Sequence, residues 1–170
     1  MCQFNPRRLS KIQDSIEELK KRLRKEDSLL DIGCGHGYLY TAIKHENYLG
    51  MDLFQENIDE ARKLYQEVEF KCQDLFSLEG VWDIVWCSRV LIHNPDFEGA
   101  VAKLRSCARR EVILVLHVGP EGSCRAERTE DSGTIYYRVF SEEQIKKQGP
   151  AEIIRHQNSP YSTVIYPGNA

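Results

Sequence analysis

From residue 28 onward, short apolar segments alternate with amphipathic ones, and this alternation restricts the possible fold more than any other feature of the chain. Alternating strands and helices predict parallel β-α-β units, and therefore a three-layer α/β/α sandwich around one sheet. The last two strand-like segments have no helix between them, so one strand near the C-terminus is expected to be antiparallel. The seven predicted strands are 28–32, 48–53, 68–72, 81–87, 111–118, 151–156 and 162–166.

Helical patterns and capping signals account for the segments around these strands. Apolar residues spaced three and four apart from Leu9 to Leu23 predict an amphipathic helix over 7–25. Asn94 is the predicted cap of another helix, with Pro95 in its first turn, and Ser141 opens a capping box. Two further helices are predicted: one directly follows the first strand and its glycines, and the other covers 55–67.

Composition limits the class of protein. A chain of 170 residues, 41% hydrophobic and 29% charged, is expected to form one soluble globular domain. Its longest apolar run, 112–116, is far shorter than the roughly 20 residues that cross a membrane. We expect no secretory signal, because no apolar stretch follows the basic residues near position 10, and the six cysteines form no C-x-x-C pair. We therefore expect a reducing, cytoplasmic location without membrane association.

Charge is distributed unevenly along the chain. Residues 1–25 carry a net charge of +5 and the remainder a net charge of −8. Two interpretations stay open: a basic arm that contacts an anionic partner, or a solvated helix face.

A glycine-rich segment, Asp31-Ile32-Gly33-Cys34-Gly35-His36-Gly37, directly follows the first strand and precedes a helix. Glycines allow positive φ and close approach of a ligand to the backbone, and the helix start supplies free amides. Asp52 ends the second strand, where an acid can bind both ribose hydroxyls of a nucleoside. Asp74, after the third strand, can accept from an adenine amine. A dinucleotide is disfavoured because Tyr38 replaces the third fingerprint glycine.

The spacing D-x-G-x-G-x-G resembles motif I of the class I methyltransferases that use S-adenosylmethionine. Further similarity follows in order at 48–53, 72–75, 82–85 and 88–94, so the resemblance covers 28–118 well and 141–167 in outline. It implies a Rossmann-like fold in a small, minimal member of the family. We expect a single domain that divides into an N-terminal helix (1–26), a cofactor-binding half (28–118), a candidate lid over the acceptor (119–140) and a C-terminal helix with a hairpin (141–170).

The resemblance also implies a set of cofactor-binding residues. Asp31 would help to hold the methionine amino group, Asp52 the ribose, and Asp74 the adenine amine with Leu75 against the ring. Asp31 has an alternative role in fixing the loop amides, and Asp74 in capping the following turn. The full implied set is Asp31, Gly33, Cys34, Gly35, Gly37, Asp52, Leu53, Asp74, Leu75, Ser88 and Arg89. The cofactor would leave as S-adenosylhomocysteine, and no metal is predicted.

Two histidines are candidates for catalysis. His93 follows the fourth strand, beside the expected methyl position, and His117 lies at the end of the fifth. Either can act as a general base if the acceptor arrives protonated, or serve only as a bonded structural side chain. Arg89 either holds an anionic acceptor or pairs with a surface acid.

The acceptor and the partners remain open at this stage. The polar segment 119–140, ending in Tyr136, Tyr137 and Arg138, is predicted as a loop that is either a lid or a plain surface connection. A small-molecule acceptor is the leading hypothesis, with a homodimer as one way to complete the pocket. The alternatives are an RNA methyltransferase that uses the basic arm and several arginines, and a non-catalytic subunit that binds S-adenosylmethionine and activates a partner.

Overall fold

The computed structural model describes residues 10–129, 133–149 and 151–170. Nine strands and five helices are described there. The strands are β1 (Leu29–Ile32), β2 (Tyr48–Asp52), β3 (Glu69–Cys72), β4 (Trp82–Ser88), β5 (Ala108–His117), β6 (Ser123–Thr129), β7 (Gly133–Val139), β8 (Glu152–Arg155) and β9 (Tyr161–Pro167). The helices are α1 (Gln13–Arg22), α2 (Tyr38–Ile43), α3 (Gln55–Leu64), α4 (Phe97–Ser106) and α5 (Glu142–Lys146).

Seven of these strands form one sheet in the order β3-β2-β1-β4-β5-β9-β8. Neighbours from β3 to β5 pair in parallel, whereas β9 is antiparallel to both β5 and β8. The predicted seven-stranded, mostly parallel sheet with one antiparallel strand is therefore confirmed. The strand order reverses direction at β1, where the chain passes from β3 on one side to β4 on the other, and this is where open α/β sheets bind ligands.

Both faces of the sheet are covered, as the unbroken apolar run of β5 indicates. Val112, Leu114 and Leu116 pack on the α4 and α5 side of the sheet. Ile113 and Val115 pack on the other side, with apolar residues of α1, α2 and α3. The result is the predicted three-layer arrangement, with a hydrophobic core on each face.

Three helix predictions need correction, and one of them is the helix predicted over 55–67, which ends at Leu64. The first helix ends at Arg22, before the predicted limit at residue 25, because Asp27 accepts a hydrogen bond from the Arg24 amide and turns the chain toward β1. Its predicted residues 7–9 lie outside the described part of the chain. The cap of α4 is Asp96, which accepts from the Gly99 amide, while Asn94 accepts from the Asp96 amide one turn earlier. The capping box at Ser141 is confirmed.

The segment 119–140, predicted as a loop, contains the antiparallel pair β6 and β7. Its second strand is tied to the main sheet, since the Phe140 amide donates to the His117 carbonyl and the Gly119 amide to the Phe140 carbonyl. The Arg138 amide also donates to the Ile92 carbonyl, in the segment after β4. These bonds hold the end of β7 beside the carboxyl ends of β4 and β5.

No helix in the described part of the chain has both the length and the apolar character needed to cross a membrane.

Candidate functional site

A cleft of about 750 Å³ opens at the carboxyl ends of the parallel strands. Its walls come from the ends of β1, β2, β4 and β5, the segments that follow β3 and β4, the end of β7 and the start of β9. Its volume is typical of small-molecule sites. Nine residues predicted from the sequence line it: Gly33, Asp52, Leu53, Asp74, Leu75, Ser88, Arg89, His93 and His117. Asp31, Cys34, Gly35 and Gly37 do not belong to its lining.

The three glycines of the loop have different tasks, although all have positive φ. Gly33 faces the cleft, and a Cβ there would overlap a methyl group of Val90. A Cβ on Gly37 would lie 2.9 Å from the ring of Tyr65 and 3.1 Å from that of Phe70. Gly33 is thus needed for the close contact of Val90 with the loop at the cleft, whereas Gly37 is needed for the packing of two aromatic rings where α2 begins.

Asp52 is the central polar residue of this region and is 7% exposed. Its Oδ2 accepts from the Gly35 amide at 2.9 Å. Its Oδ1 accepts at 3.0 Å from both the Phe54 amide and the Asn57 side chain. The carboxylate therefore has a fixed orientation, and it joins the glycine loop to the start of α3.

Asp31 lies beneath the loop and is 2% exposed. It accepts a hydrogen bond of 2.6 Å from the Tyr48 hydroxyl and none from the loop amides. In the loop, the Gly35 amide donates its hydrogen bond to Asp52 and not to Asp31. Burial raises the pKa of Asp31 to about 7, and the charge of Asp52 acts in the same direction.

Cys34 turns its side chain away from the cleft and into the core, where it is 3% exposed. Burial raises the pKa of its thiol strongly, so the thiol stays protonated. Any contribution of Cys34 to ligand binding is therefore through its backbone.

Asp74 caps the short turn that follows β3, as one of the two alternatives stated. Its Oδ1 accepts from the Phe76 amide at 2.7 Å, while the residue remains exposed at the cleft. Leu53 and Leu75 flank it in the lining, and Leu53 is 58% exposed. A large exposed apolar side chain beside a carboxylate suits a flat polar ring such as a purine.

Ser88 and Arg89 close β4 and present polar atoms that the protein leaves unsatisfied. Within the described residues, Ser88 Oγ and Arg89 Nε are buried and have no hydrogen-bond partner. Arg89 has a φ of 61°, which is uncommon for a non-glycine residue. Its guanidinium lies 5.7 Å from the centroid of the Tyr161 ring. No acid among the described residues pairs with it, so the surface-acid alternative gains no support.

Both candidate histidines lie on the same side of the cleft as Arg89. The ring of His93 meets that of Tyr137 edge-on at 5.0 Å, and the ring of His117 lies 5.9 Å from that of Tyr161. The polar residues of the lining that sequence reasoning missed are Asn57 and Tyr161. Asn57 follows Asp52 by five residues in the first turn of α3, which is a usable signal. Tyr161 had none, because its place depends on the pairing of β9 with β5.

The family of the chain follows from comparison with known proteins. Residues 4–155 match the family described as "Methyltransferase domain". The chain therefore belongs to this methyltransferase family.

Curated relatives match about half of the chain. Magnesium-protoporphyrin O-methyltransferase of Synechocystis sp. is 37% identical over 95 residues, which are 49% of this chain and 41% of that protein. The mitochondrial ubiquinone biosynthesis O-methyltransferase of Saccharomyces cerevisiae is 34% identical over 94 residues, 48% of this chain and 30% of that protein. The chain thus spans less than half the length of these relatives.

Solved structures share the fold over nearly the whole chain. Magnesium protoporphyrin IX methyltransferase of Synechocystis, crystallised with bound S-adenosylmethionine, has a TM-score of 0.70 at 22% identity. The match covers 95% of this chain and 80% of that one. The 1,6-didemethyltoxoflavin-N1-methyltransferase of Burkholderia thailandensis has a TM-score of 0.72 at 16% identity, covering 95% and 79%.

Proposed function

We propose that this chain is a class I methyltransferase that transfers a methyl group from S-adenosylmethionine to a small molecule. The observation that carries the proposal is the position of Asp52: a fixed carboxylate between the glycine loop and Asp74, in the wall of one cleft. Membership of a methyltransferase family supports it. So do the names of relatives, which specify a porphyrin and ubiquinone biosynthesis.

The residues at this end of the cleft suit the cofactor in chemical type. A carboxylate has about four acceptor positions, and the protein uses three at Asp52, so capacity remains on Oδ2 for a ribose hydroxyl. Leu53 and Leu75 would flank the purine, and the second oxygen of Asp74 would accept from its amine. The methionine portion would lie against the backbone at Gly33, which lines the cleft.

The other end of the cleft would orient the acceptor. S-adenosylmethionine supplies a methyl group on a positively charged sulfur, so little covalent chemistry is left to the protein. Alignment of the acceptor and exclusion of water are then the main contributions. Ile92, Tyr137 and Tyr161 give this end apolar and aromatic walls. His93 and His117 are placed to take a proton from an acceptor that arrives protonated.

The RNA alternative gains no support from those of its arginines whose side chains the structure describes; Arg125 and Arg128 lie outside that set. Arg105 bonds the Pro167 and Gln148 carbonyls, and Arg110 pairs with the buried Asp27. In α1, Arg22 pairs with both Glu111 and Glu152. These cations stabilise the fold and do not form an open basic surface.

Transfer of labelled methyl groups tests the proposal. The protein is incubated with S-adenosylmethionine carrying a labelled methyl group and with a cell extract, which is then separated into small-molecule, RNA and protein fractions. We expect label in the small-molecule fraction, lost with Asp52→Asn and kept with Asp59→Asn, a matched change on the exposed face of α3. Label confined to RNA or protein would contradict the small-molecule acceptor. No label, with cofactor binding intact, would favour the non-catalytic subunit.

A further inference from the structure

The polar groups of the cleft separate by charge along the sheet. Asp52 and Asp74, the acids among its described lining residues, lie at the ends of β2 and β3. Arg89 and His117 lie at the ends of β4 and β5, on the other side of β1. Strands are spaced about 4.8 Å apart, and the two groups are two to four strands apart, so they are separated by roughly 10–20 Å along the sheet edge. One end of the cleft is therefore acidic and the other basic.

The basic end holds donors that the protein itself does not satisfy. Ser88 Oγ, Arg89 Nε and Arg138 Nε are buried and have no hydrogen-bond partner among the described residues. All three residues line this one cleft. Buried donors are nearly always bonded in folded proteins, so three in one cavity wall indicate a ligand that accepts hydrogen bonds.

Arg89 and Arg138 come from distant parts of the chain, and contacts with other residues hold each of them at the cleft. Arg89 lies against the Tyr161 ring, and the backbone amide of Arg138 is bonded to Ile92 in the segment after β4. The planar guanidinium group matches the oxygens of a carboxylate or phosphate and binds them more strongly than a neutral acceptor. Around them, Ile92, Val139 and Tyr161 supply apolar surface.

We propose that the acceptor is a small apolar molecule that carries an oxyanion, held by Arg89 and Arg138 at the basic end of the cleft. This inference rests on the proposed function, because it assigns the acceptor of the same site. The oxyanion orients the acceptor relative to the cofactor end, and the apolar part packs against Tyr161 and its neighbours.

Calorimetric titration of the protein saturated with S-adenosylhomocysteine tests this assignment. Benzoate, benzamide and phenyl phosphate are the probes, because benzamide matches benzoate in shape but lacks its charge. We expect benzoate to bind at least about fivefold more tightly than benzamide. Arg89→Gln and Arg138→Gln should each remove most of this preference. Arg109→Gln, whose guanidinium faces Asp83 outside the cleft, is the matched control and should keep it.

The outcomes separate this inference from the proposed function. Tighter binding of phenyl phosphate than of benzoate, lost with the same two substitutions, would support the oxyanion and assign it as a phosphate. Equal affinity for benzoate and benzamide, no binding of either anion, or a preference that survives both substitutions would overturn the inference. Failure of the wild-type protein to bind S-adenosylhomocysteine would instead overturn the proposed function.

Discussion

The two ends of the cleft differ in how many of their polar groups are hydrogen-bonded within the described part of the chain. At the acidic end, Asp52 accepts three hydrogen bonds from the chain, Asp74 caps a turn and Asp31 is bonded to Tyr48. At the basic end, Arg89 and Arg138 each have a buried Nε donor with no hydrogen-bond partner in the described part of the chain. In terms of the proposed function, the chain itself fixes the carboxylates of the cofactor end, whereas the acceptor would supply hydrogen-bond partners at the other end. Four changes in the chain test this difference.

The largest effect is expected at Gly33. An alanine there combines a positive φ with overlap of the Val90 methyl group, so Gly33→Ala should lower the free energy of unfolding by roughly 2–4 kcal/mol. It should also weaken binding of S-adenosylhomocysteine by at least about tenfold, since the loop must move. Gly80→Ala is the control: its φ of +111° is also unfavourable, but it lies outside the cleft lining and should leave binding unchanged. Normal binding by Gly33→Ala would show that the loop is not prearranged.

Asp31 gives the acidic end a pH dependence. Because burial raises its pKa from 3.8 to about 7, the folded state binds the proton more tightly, and this contribution to stability is lost as the pH rises from about 4 to 7. An asparagine cannot ionise, so Asp31→Asn should abolish this pH-dependent fall in the free energy of unfolding. The fall in the wild type is on the order of 2–4 kcal/mol, because a tenfold change in proton affinity equals about 1.4 kcal/mol. Urea denaturation between pH 4 and 8 measures the difference.

The control for this experiment is Asp83, whose pKa is shifted in the opposite direction. The Ser28 amide and hydroxyl lower the pKa of Asp83, so its contribution to stability is lost only as the pH falls below about 4, and Asp83→Asn should be destabilising by a nearly constant amount between pH 4 and 8. Identical pH profiles for wild type and Asp31→Asn would show that Asp31 is ionised in the folded protein at low pH.

Asp52→Ala should weaken binding of S-adenosylmethionine by roughly 1.5–3 kcal/mol, since a charged acceptor for the ribose hydroxyls is removed. Asp52→Asn keeps the shape and one acceptor oxygen, so it separates loss of charge from disturbance of the Gly35 amide. Calorimetry measures both. Unchanged affinity in the alanine variant would mean that the ribose does not bind at Asp52.

The smallest effect is expected at His93, at the acceptor end. His93→Ala should lower kcat by about tenfold, less than the roughly hundredfold or more typical of a general base, because the methyl group of the cofactor is already activated, and it should leave the KM for S-adenosylmethionine unchanged. Steady-state kinetics against the acceptor identified by labelling measures both. Wild-type values for both would show that His93 has a structural role and takes no part in catalysis.

The predictability of the two ends differs for a physical reason. The glycine loop, Asp52 and Asp74 are coded by local sequence: apolar strands end directly at them, and parallel pairing brings those ends to one edge. Beneath this end, sequence reasoning missed the partner of Asp31, because Tyr48 pairs with Leu29 in the register of β1 and β2 and its hydroxyl reaches Asp31 from that position.

The basic end depends on pairings between distant segments. Arg138 reaches the cleft because β7 pairs with β6 and bonds the segment after β4. Tyr161 reaches it because β9 pairs with β5, with Tyr161 opposite His117. In the sequence, 119–140 is polar and bears glycines, so its strand character was not recognised, although β7 begins with the β-prone residues Thr134 and Ile135.

A crystal structure of the complex with S-adenosylhomocysteine directly tests whether the acidic end of the cleft binds the cofactor and the basic end binds the acceptor. The account predicts the ribose hydroxyls at Asp52, the purine between Leu53 and Leu75, and the amino-acid portion against Gly33. It also predicts that Arg89 and Arg138 face the part of the cleft that the cofactor leaves open. A purine stacked between Tyr137 and Tyr161, or a cofactor carboxylate bound to both arginines, would contradict the division of the cleft into a cofactor end and an acceptor end.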